Sequence, residues 1–360
     1  MTFIFGVRIY NEVLKQEVKR LFKDKIVDLK INFKMKRLVP FILFLGIFSF
    51  SHAQDPHFSQ FYANAMYLNP AFAGSAGGPR VALNWRYQWP SAAGGDFRTY
   101  SVSYDQHFDG IGGGIGAQVM YDNAGEGNLS TTTAMLAYSY YLPVNEVLRI
   151  KAGLQVGVFQ RSIDTDALRF PDQIHPRLGF VFPTQEDITN PSIGPFPDFA
   201  AGAIAYTDKY YGGFAIHHIT EPTQSFLDNA NSVLPRKITL HAGMMIPLDK
   251  GTRNPKTFIS PNILYQRQAN FTQVTFGGYF IKEHFIVGAM YRQTDPNSDA
   301  LVVLGGVTKD AFRFGYSYDI AVSDVRVAAR GSHELSLIIN IPYTKRTPKR
   351  KWKPISCPNL

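Results

Sequence analysis

From Val81 onward the chain runs in segments of about ten residues that alternate apolar with polar or small side chains, the period of a strand whose faces meet unlike surroundings. Val81, Leu83, Trp85, Tyr87 and Trp89 stand on one side of the first segment, and Arg80, Ala82, Asn84, Arg86 and Gln88 on the other. Tyr100, Val102 and Tyr104 oppose Thr99, Ser101, Ser103 and Asp105 in the next. Fourteen such segments can be marked, at 80–89, 98–108, 111–122, 130–142, 147–161, 198–207, 210–220, 236–247, 256–267, 271–281, 284–293, 299–308, 311–319 and 333–342. Tight turns follow the second, fourth, sixth, tenth and twelfth (Asp109-Gly110, Pro143 to Glu146, Thr207 to Lys209, Lys282-Glu283, Lys309-Asp310), with Leu248 to Pro255 as the irregular exception. Long connections at Ser162 to Pro197 and Glu221 to Pro235, and a medium one at Ile320 to Ser332, fall between them. Short turns on one rim and long loops on the other are the build of a membrane barrel.

After residue 53 no stretch reaches the roughly 18 apolar residues that a membrane helix needs. A barrel is then the form left for a membrane, because closure pairs every backbone N–H and C=O and removes the edges of an open sheet. A soluble β-sandwich alternates too, but its outer face carries charge. Here the more polar face is repeatedly Gly, Ser, Thr and Gln with scattered Arg. The expectation is an all-β fold: a transmembrane antiparallel up-and-down β-barrel of about 14 strands over residues 80–343. Trp89, Tyr100, Tyr121, Tyr140, Tyr141 and Tyr291 are expected at the headgroup level.

Met35-Lys36-Arg37, the apolar run Leu38 to Phe50, and Ser51-His52-Ala53 before Gln54 have the order of a secretory signal peptide over residues 35–53, cut between Ala53 and Gln54. Residues 1–34 read as an upstream extension from a start codon set too early. Removing residues 1–53 takes away 10 of the 37 Lys and Arg and 4 of the 28 Asp and Glu, which leaves a net charge of +3. Six of those positives (Lys345, Arg346, Lys349, Arg350, Lys351, Lys353) crowd into the tail at 344–360. A nucleic-acid partner, which needs a basic face on the fold itself, is not expected. The single cysteine, Cys357, excludes an intrachain disulfide. The basic, proline-bearing tail does not have the composition of a core. It reads either as solvated or as docking an acidic partner or anionic cell-wall material.

Gln54-Asp55-Pro56-His57-Phe58-Ser59-Gln60-Phe61-Tyr62, then Tyr67-Leu68-Asn69-Pro70-Ala71-Phe72-Ala73-Gly74, resembles the opening of the PorP/SprF family of outer-membrane proteins of the type IX secretion and gliding machinery of Bacteroidetes. Arg86-Tyr87-Gln88-Trp89, Gly331-Ser332-His333-Glu334-Leu335-Ser336-Leu337 and Cys357-Pro358 extend the likeness over Gln54 to Pro358. The chain departs from the family at its end, where Asn359-Leu360 stands in place of an aromatic. The resemblance implies a barrel in the outer membrane of a Gram-negative bacterium, surrounded by outer-membrane lipid and working beside other type IX components. It also implies a partner, a secreted adhesin with a type B C-terminal domain that the barrel helps to export or anchor, and no enzymatic activity.

In the segment 54–79, Phe58, Phe61, Tyr62, Met66, Tyr67, Leu68 and Phe72 need burial, while Asn64, Asn69, Pro70 and Gly74 prevent one continuous helix. The segment, with Ser59, Gln60 and Ala71 among its motif residues, is expected to fold against or inside the periplasmic part of the lumen as a plug, or to strap the rim. Arg86, Arg149, Lys151, Arg161, Lys237, Arg267, Arg292 and Arg313 are expected to face the lumen or rim. They either select anions in an open pore or, the preferred reading, pair with Asp105, Asp122 and Asp319 in a closed one. Phe170, Phe180, Phe182, Phe196 and Phe226 lie in long loops with no strand to bury them, and either meet a partner or lid the barrel. The rival from another class is a passive diffusion porin.

No cofactor is expected. His217-His218, as neighbours on a strand, point to opposite faces and cannot share one metal. Asp295, Asn297 and Asp299 have calcium-loop spacing without the glycine or the twelfth-position glutamate. Gly112, Gly114 and Ala117 imitate a dinucleotide fingerprint without its helix, and fit better as small residues where another backbone comes close. No serine, histidine and aspartate motif fixes a nucleophile beside a base.

Overall fold

The computed structural model describes residues 55–90, 97–125, 129–164, 168, 170–185, 192–226, 232–249, 255–295, 300–322, 331–342 and 355. The upstream extension, the signal segment with Ala53 and Gln54, Asn297 and Asp299, and the tail apart from Ile355 lie outside the described residues.

Five strands, β1 (Arg80–Gln88), β2 (Phe97–Phe108), β3 (Gly113–Ala124), β4 (Leu129–Pro143) and β5 (Arg149–Ile163), form an antiparallel meander. A two-stranded hairpin, β6 (Ile174–His175) and β7 (Gly179–Phe180), stands in the first long loop. The wall resumes with β8 (Ser192–Tyr206), β9 (Tyr210–His217) and β10 (Lys237–Met244), the last continued as β11 (Ile246–Pro247). It then runs through β12 (Thr257–Gln268), β13 (Phe271–Lys282), β14 (Phe285–Asp295), β15 (Ala300–Lys309), β16 (Phe312–Ala321) and β17 (Ser332–Asn340). β10 pairs with β12, and β1 pairs with β17 from Arg80↔Asn340 to Gln88↔Ser332, so the sheet closes into a 14-stranded antiparallel barrel.

The alternation in the sequence is the alternation across the wall. Thr99, Ser101, Ser103 and Asp105 are buried on the inner face of β2, while Tyr100, Val102 and Tyr104 are exposed outside. On β5, Leu154 is 66% exposed and its neighbour Gln155 only 5%. An exterior of this kind is unfavourable in water and matched to hydrocarbon. The five tight turns marked in the sequence share one rim, and the two-residue turn Ala269-Asn270 between β12 and β13 is at the other. Asn145 Oδ1 accepts the N–H groups of Val147 and Leu148. Glu283 and Asp310 adopt left-handed φ values of 51° and 53°. The irregular connection after β11 is closed by Asp249, whose carboxylate accepts the N–H groups of Lys256 and Thr257.

Two strands differ from expectation for reasons that lie in proline. β8 begins at Ser192, six residues before the expected start; Pro195 and Pro197 fall where it is paired with β5 alone, since β9 joins only from Ala201. The β10 strand breaks at Met245 because the facing residue region of β12 contains Pro261, which has no N–H to give. Partners run Gly243↔Asn262 and then Ile246↔Ile259, with none for Pro261 on that side.

Ahead of β1, a one-turn helix α1 (Ala65–Leu68) and a 3-10 turn (Pro70–Phe72) break residues 55–79 into short pieces, as the asparagines and proline require. Asn69 Oδ1 caps the 3-10 turn by accepting the Ala71 N–H at 2.9 Å. Phe61, Tyr62, Leu68, Ala71 and Phe72 form one buried cluster with wall residues including Ile204, Tyr211, Leu264, Tyr279, Met290 and Val302. Ile355 joins that cluster and donates its N–H to Ser75 O. The tail was expected from its composition to pack no core; one of its residues does, because an isolated isoleucine among lysines and prolines is apolar enough to be captured.

Candidate functional site

The residues of the Phe58-Ser59-Gln60 motif meet a group of four charges on the inner wall. Arg86 on β1 contacts Asp319 of β16 at 2.8 Å and Glu334 of β17 at 3.0 Å, and Arg292 of β14 contacts Asp319 at 2.9 Å. Two cations and two anions compensate one another, which buried charges need. Ser59 Oγ donates to Asp319 and receives bonds from Arg86 and Arg292, both at 3.0 Å. The Glu334 carboxylate accepts the main-chain N–H groups of Ser59 at 2.7 Å and Gln60 at 2.9 Å. Gln60 Nε2 donates to Glu334 O and Ser317, while its Oε1 accepts from Ser336.

Farther along, the Asn69 amide donates to Phe214 O at 2.9 Å and to Ala203 O at 3.2 Å, joining two adjacent strands through one side chain. Asp105 pairs with Arg80 at 2.8 Å and accepts the Gly74 N–H at 2.7 Å. Ala73 O accepts from Lys151 at 2.6 Å and Ser139 at 2.7 Å. The wall is kept small where the main chain passes: a Cβ on Gly153 would lie 2.6 Å from Ala71 Cα, and one on Gly114 2.6 Å from Gly74 Cα. Gly114 is therefore a close-approach glycine, while Ala117 lies on the exposed face.

The segment begins at the other rim. Asp55 meets Lys237 and His218, each at 2.8 Å, and its N–H donates to Gln268. These residues stand at or beside the long-loop ends of β10, β9 and β12. The contacts of residues 55–75 thus run from the long-loop rim to Arg80 at the short-turn rim, rather than staying in one half of the lumen.

Several side chains depart from their expected places. His217 and His218 are both buried, with ring centroids 6.4 Å apart, because β9 ends at His217 and His218 turns inward with φ of 56°. The opposite-face argument fails at that bend. Their bonds go elsewhere, His217 to Leu68 O and His218 to Asp55 and Asp198. Among the described residues no group of three or more His, Cys, Asp or Glu is placed to hold a metal. Arg267 is exposed on the outer phase of β12. Arg149 pairs at the rim with Asp208 at 3.1 Å, Arg313 is half-buried, and Arg161 bonds Gln224 and Thr131. Asp122 accepts from Thr99 at 2.7 Å.

In the loops, Phe180 and Phe182 are exposed, together with Ile174, Leu178 and Val181 of the same hairpin. Phe170 and Phe226 are half-buried, and Phe196 belongs to β8, its ring 5.3 Å from Phe159. The hairpin base is tied by Asp172, which accepts the Gln185 N–H and the Thr184 hydroxyl. The Gln185 N–H, above all, holds that carboxyl below the ordinary carboxylate range. Glu334, Arg80 and Asp55 were missed as pairing residues by the sequence reading. The signal for Glu334 was present, since it shares the phase of Ser332 and Ser336 on a strand whose outward residues are Leu335, Leu337 and Ile339.

Among solved structures, the Pseudomonas putida toluene transporter TodX is 15% identical, with TM-score 0.45 over 78% of this chain and 94% of that one. The Acinetobacter baumannii outer membrane protein Omp33 is 10% identical, with TM-score 0.42 over 73% of this chain and 98% of that one. A Pseudomonas aeruginosa FadL homologue is 13% identical, with TM-score 0.39 over 73% of this chain and 90% of that one. No curated protein matches the sequence. Over residues 50–339 the chain matches the family described as type IX secretion system membrane protein PorP/SprF, and with most of its length so covered it belongs to that family.

Proposed function

We propose that this chain is a non-enzymatic outer-membrane barrel, exported by its signal segment, that holds a secreted adhesin-like protein at its long-loop face for export or surface anchoring. Membership in a type IX secretion family supports a protein partner and neighbouring secretion components. The observation that carries the reading is the filled interior: Gln60, Asn69, Ala71 and Phe72 are completely buried and bonded or packed against strands all around the wall. A bore occupied in this way is a poor diffusion pore, so residues 55–79 act as a plug and the barrel works through its surface. The long-loop rim is the outward one by the usual build of such barrels. It offers an exposed apolar hairpin, Ile174 to Phe182, which is the kind of surface a protein partner covers. A type B C-terminal domain on that partner follows from the family resemblance.

The test is affinity purification of the full chain from envelope membranes of its native host. A large secreted protein should accompany the unaltered barrel and be lost at least about tenfold with Phe180→Ser/Phe182→Ser, a change expected to remove one apolar anchor region. Purification without a secreted partner, combined with steady conductance in planar bilayers, would establish the diffusion porin instead.

A further inference from the structure

The barrel holds the two ends of the N-terminal segment by different chemistry. From Ser59 to Gly74 the wall binds neutral groups of the segment: the N–H of Ser59, Gln60 and Gly74, the carbonyl of Ala73, and the uncharged side chains of Ser59, Gln60 and Asn69. At Asp55 it binds a side-chain carboxylate. Lys237 Nζ and His218 Nε2 each lie 2.8 Å from Asp55 Oδ2, and Gln268 Nε2 lies 3.2 Å from Oδ1. Gln268 Oε1 also accepts the N–H of Asp55 itself at 3.1 Å. A carboxylate and the amide of the same residue are therefore read together, which selects an aspartate within an extended peptide over a loose anion.

The receptor is built rather than incidental. Lys237, His218 and Gln268 are all buried. Lys237 lies 4.2 Å from the centroid of the Tyr67 ring and bonds its hydroxyl. Asp198 fixes the other imidazole nitrogen of His218 at 2.9 Å. Arg161 and Asp122 border a cavity of about 50 Å³ beside the clamp, together with Pro56, Gln224 and Leu234. Lys237, His218, Asp198 and Gln268 belong to the wall and its loop, while Asp55, Pro56 and Tyr67 belong to the segment.

The geometry points to this clamp as a receptor for an aspartate-bearing extended peptide of a partner at the long-loop mouth, at present filled by the chain's own Asp55. The inference rests on the proposed function in placing a protein partner at that face. Like replaces like: an incoming carboxylate leaves neither Lys237 nor His218 buried without its anion. The segment continues into β1 at Arg80 on the opposite rim, so exchange at Asp55 frees it from the outer end while the inner end stays fixed.

The test uses the full chain in detergent and a fluorescent N-acetyl-Asp-Pro-His peptide, with N-acetyl-Asn-Pro-His as control. A tethered competitor acts at an effective concentration in the millimolar range. Asp55→Asn should therefore bind the aspartate probe at least about tenfold more tightly than the unaltered chain, and the control probe should not distinguish them. Gln268→Leu or Lys237→Met in the Asp55→Asn background should abolish the gain, and Lys237→Arg should keep part of it. If Lys237→Met does not fold, Gln268→Leu decides the matter, because it strands no buried charge. Equal binding of the two probes, or no gain in Asp55→Asn, overturns the inference. Those results leave co-purification of a secreted partner unaffected, and loss of co-purification leaves the peptide titration unaffected, so the two readings fail separately.

Discussion

Arg86 is the residue on which most of the inner wall's charge depends, since it touches Asp319, Glu334, Ser59 and His57 through one guanidinium. Its removal leaves two buried carboxylates with Arg292 as the remaining nearby cation. Arg86→Met should destabilise the chain by about 3–5 kcal/mol, the range for breaking a buried ion pair from one side. Urea unfolding followed by tryptophan fluorescence would read this, and a change below about 1 kcal/mol would mean that water already screens the group. Replacing Arg86 and Glu334 together by apolar residues should cost less than the two single changes summed, because neither charge is then stranded. The inward direction of three of these four charges was legible from sequence. Arg86, Arg292 and Asp319 share the small and polar phase of their strands, so their inward direction followed from period two alone. Which carboxylate meets which cation did not follow, because Arg86 and Glu334 are 248 residues apart and are opposed only by closure of β1 on β17. Arg267 is misplaced by sign of charge against the period: it shares the phase of Ile259, Ile263 and Tyr265, the outward row of β12, while Ser260, Asn262, Leu264 and Gln268 are buried on the inner one.

The elements opposite the N-terminal segment carry some apolar side chains inside as well as outside. Strands facing a water-filled bore keep a polar inner row, but Leu264, Tyr279, Ile286, Met290, Val302 and Leu304 are buried on the inner faces of β12 to β15. They pack against the aromatic residues of the segment beside polar inner residues such as Asn262, Gln273, Thr275 and Arg292, and β15, with Ala300, Val302 and Leu304 inside, is apolar on both faces. Strand number and the tight turns were nevertheless readable, since they depend on turn residues and spacing more than on inner-face polarity. The segment's burial was readable too, from its density of Phe and Tyr, but its reach to the long-loop rim was not, because Asp55 finds Lys237 only in the closed barrel. Removing residues 54–76 tests the segment as an element. It takes away Ser59, Gln60, Asn69 and Phe72 while leaving the wall ladder from Arg80 to Asn340 intact. The barrel should still form, with lower stability, and planar bilayers should show stepwise conductance that the full chain lacks. An unchanged, closed current from the deleted chain would show that something other than the segment blocks the bore.

For the whole molecule the decisive quantity is which rim faces out, since the proposed holding of a secreted partner at the cell surface requires the apolar hairpin and the Asp55 clamp to be outside. The rims differ in kind: Thr207 to Lys209 and Lys282-Glu283 turn tightly at one, while the β6–β7 hairpin and the Thr223↔Val233 bridge belong to long connections at the other. Barrels of this kind keep short turns at the periplasmic rim and longer loops outside, which sets the expected orientation. The single Cys357 makes the question accessible by labelling, since Cys357→Ser supplies a thiol-free background. Leu178 at the hairpin tip is 70% exposed and Val147 in a short turn is 64% exposed, so a cysteine at either should react freely wherever reagent can reach it. With a membrane-impermeant maleimide, Leu178→Cys should label in intact cells, and Val147→Cys only after the outer membrane is breached. The reverse pattern would place the hairpin and Asp55 in the periplasm, leaving the barrel to receive a partner before export rather than after it.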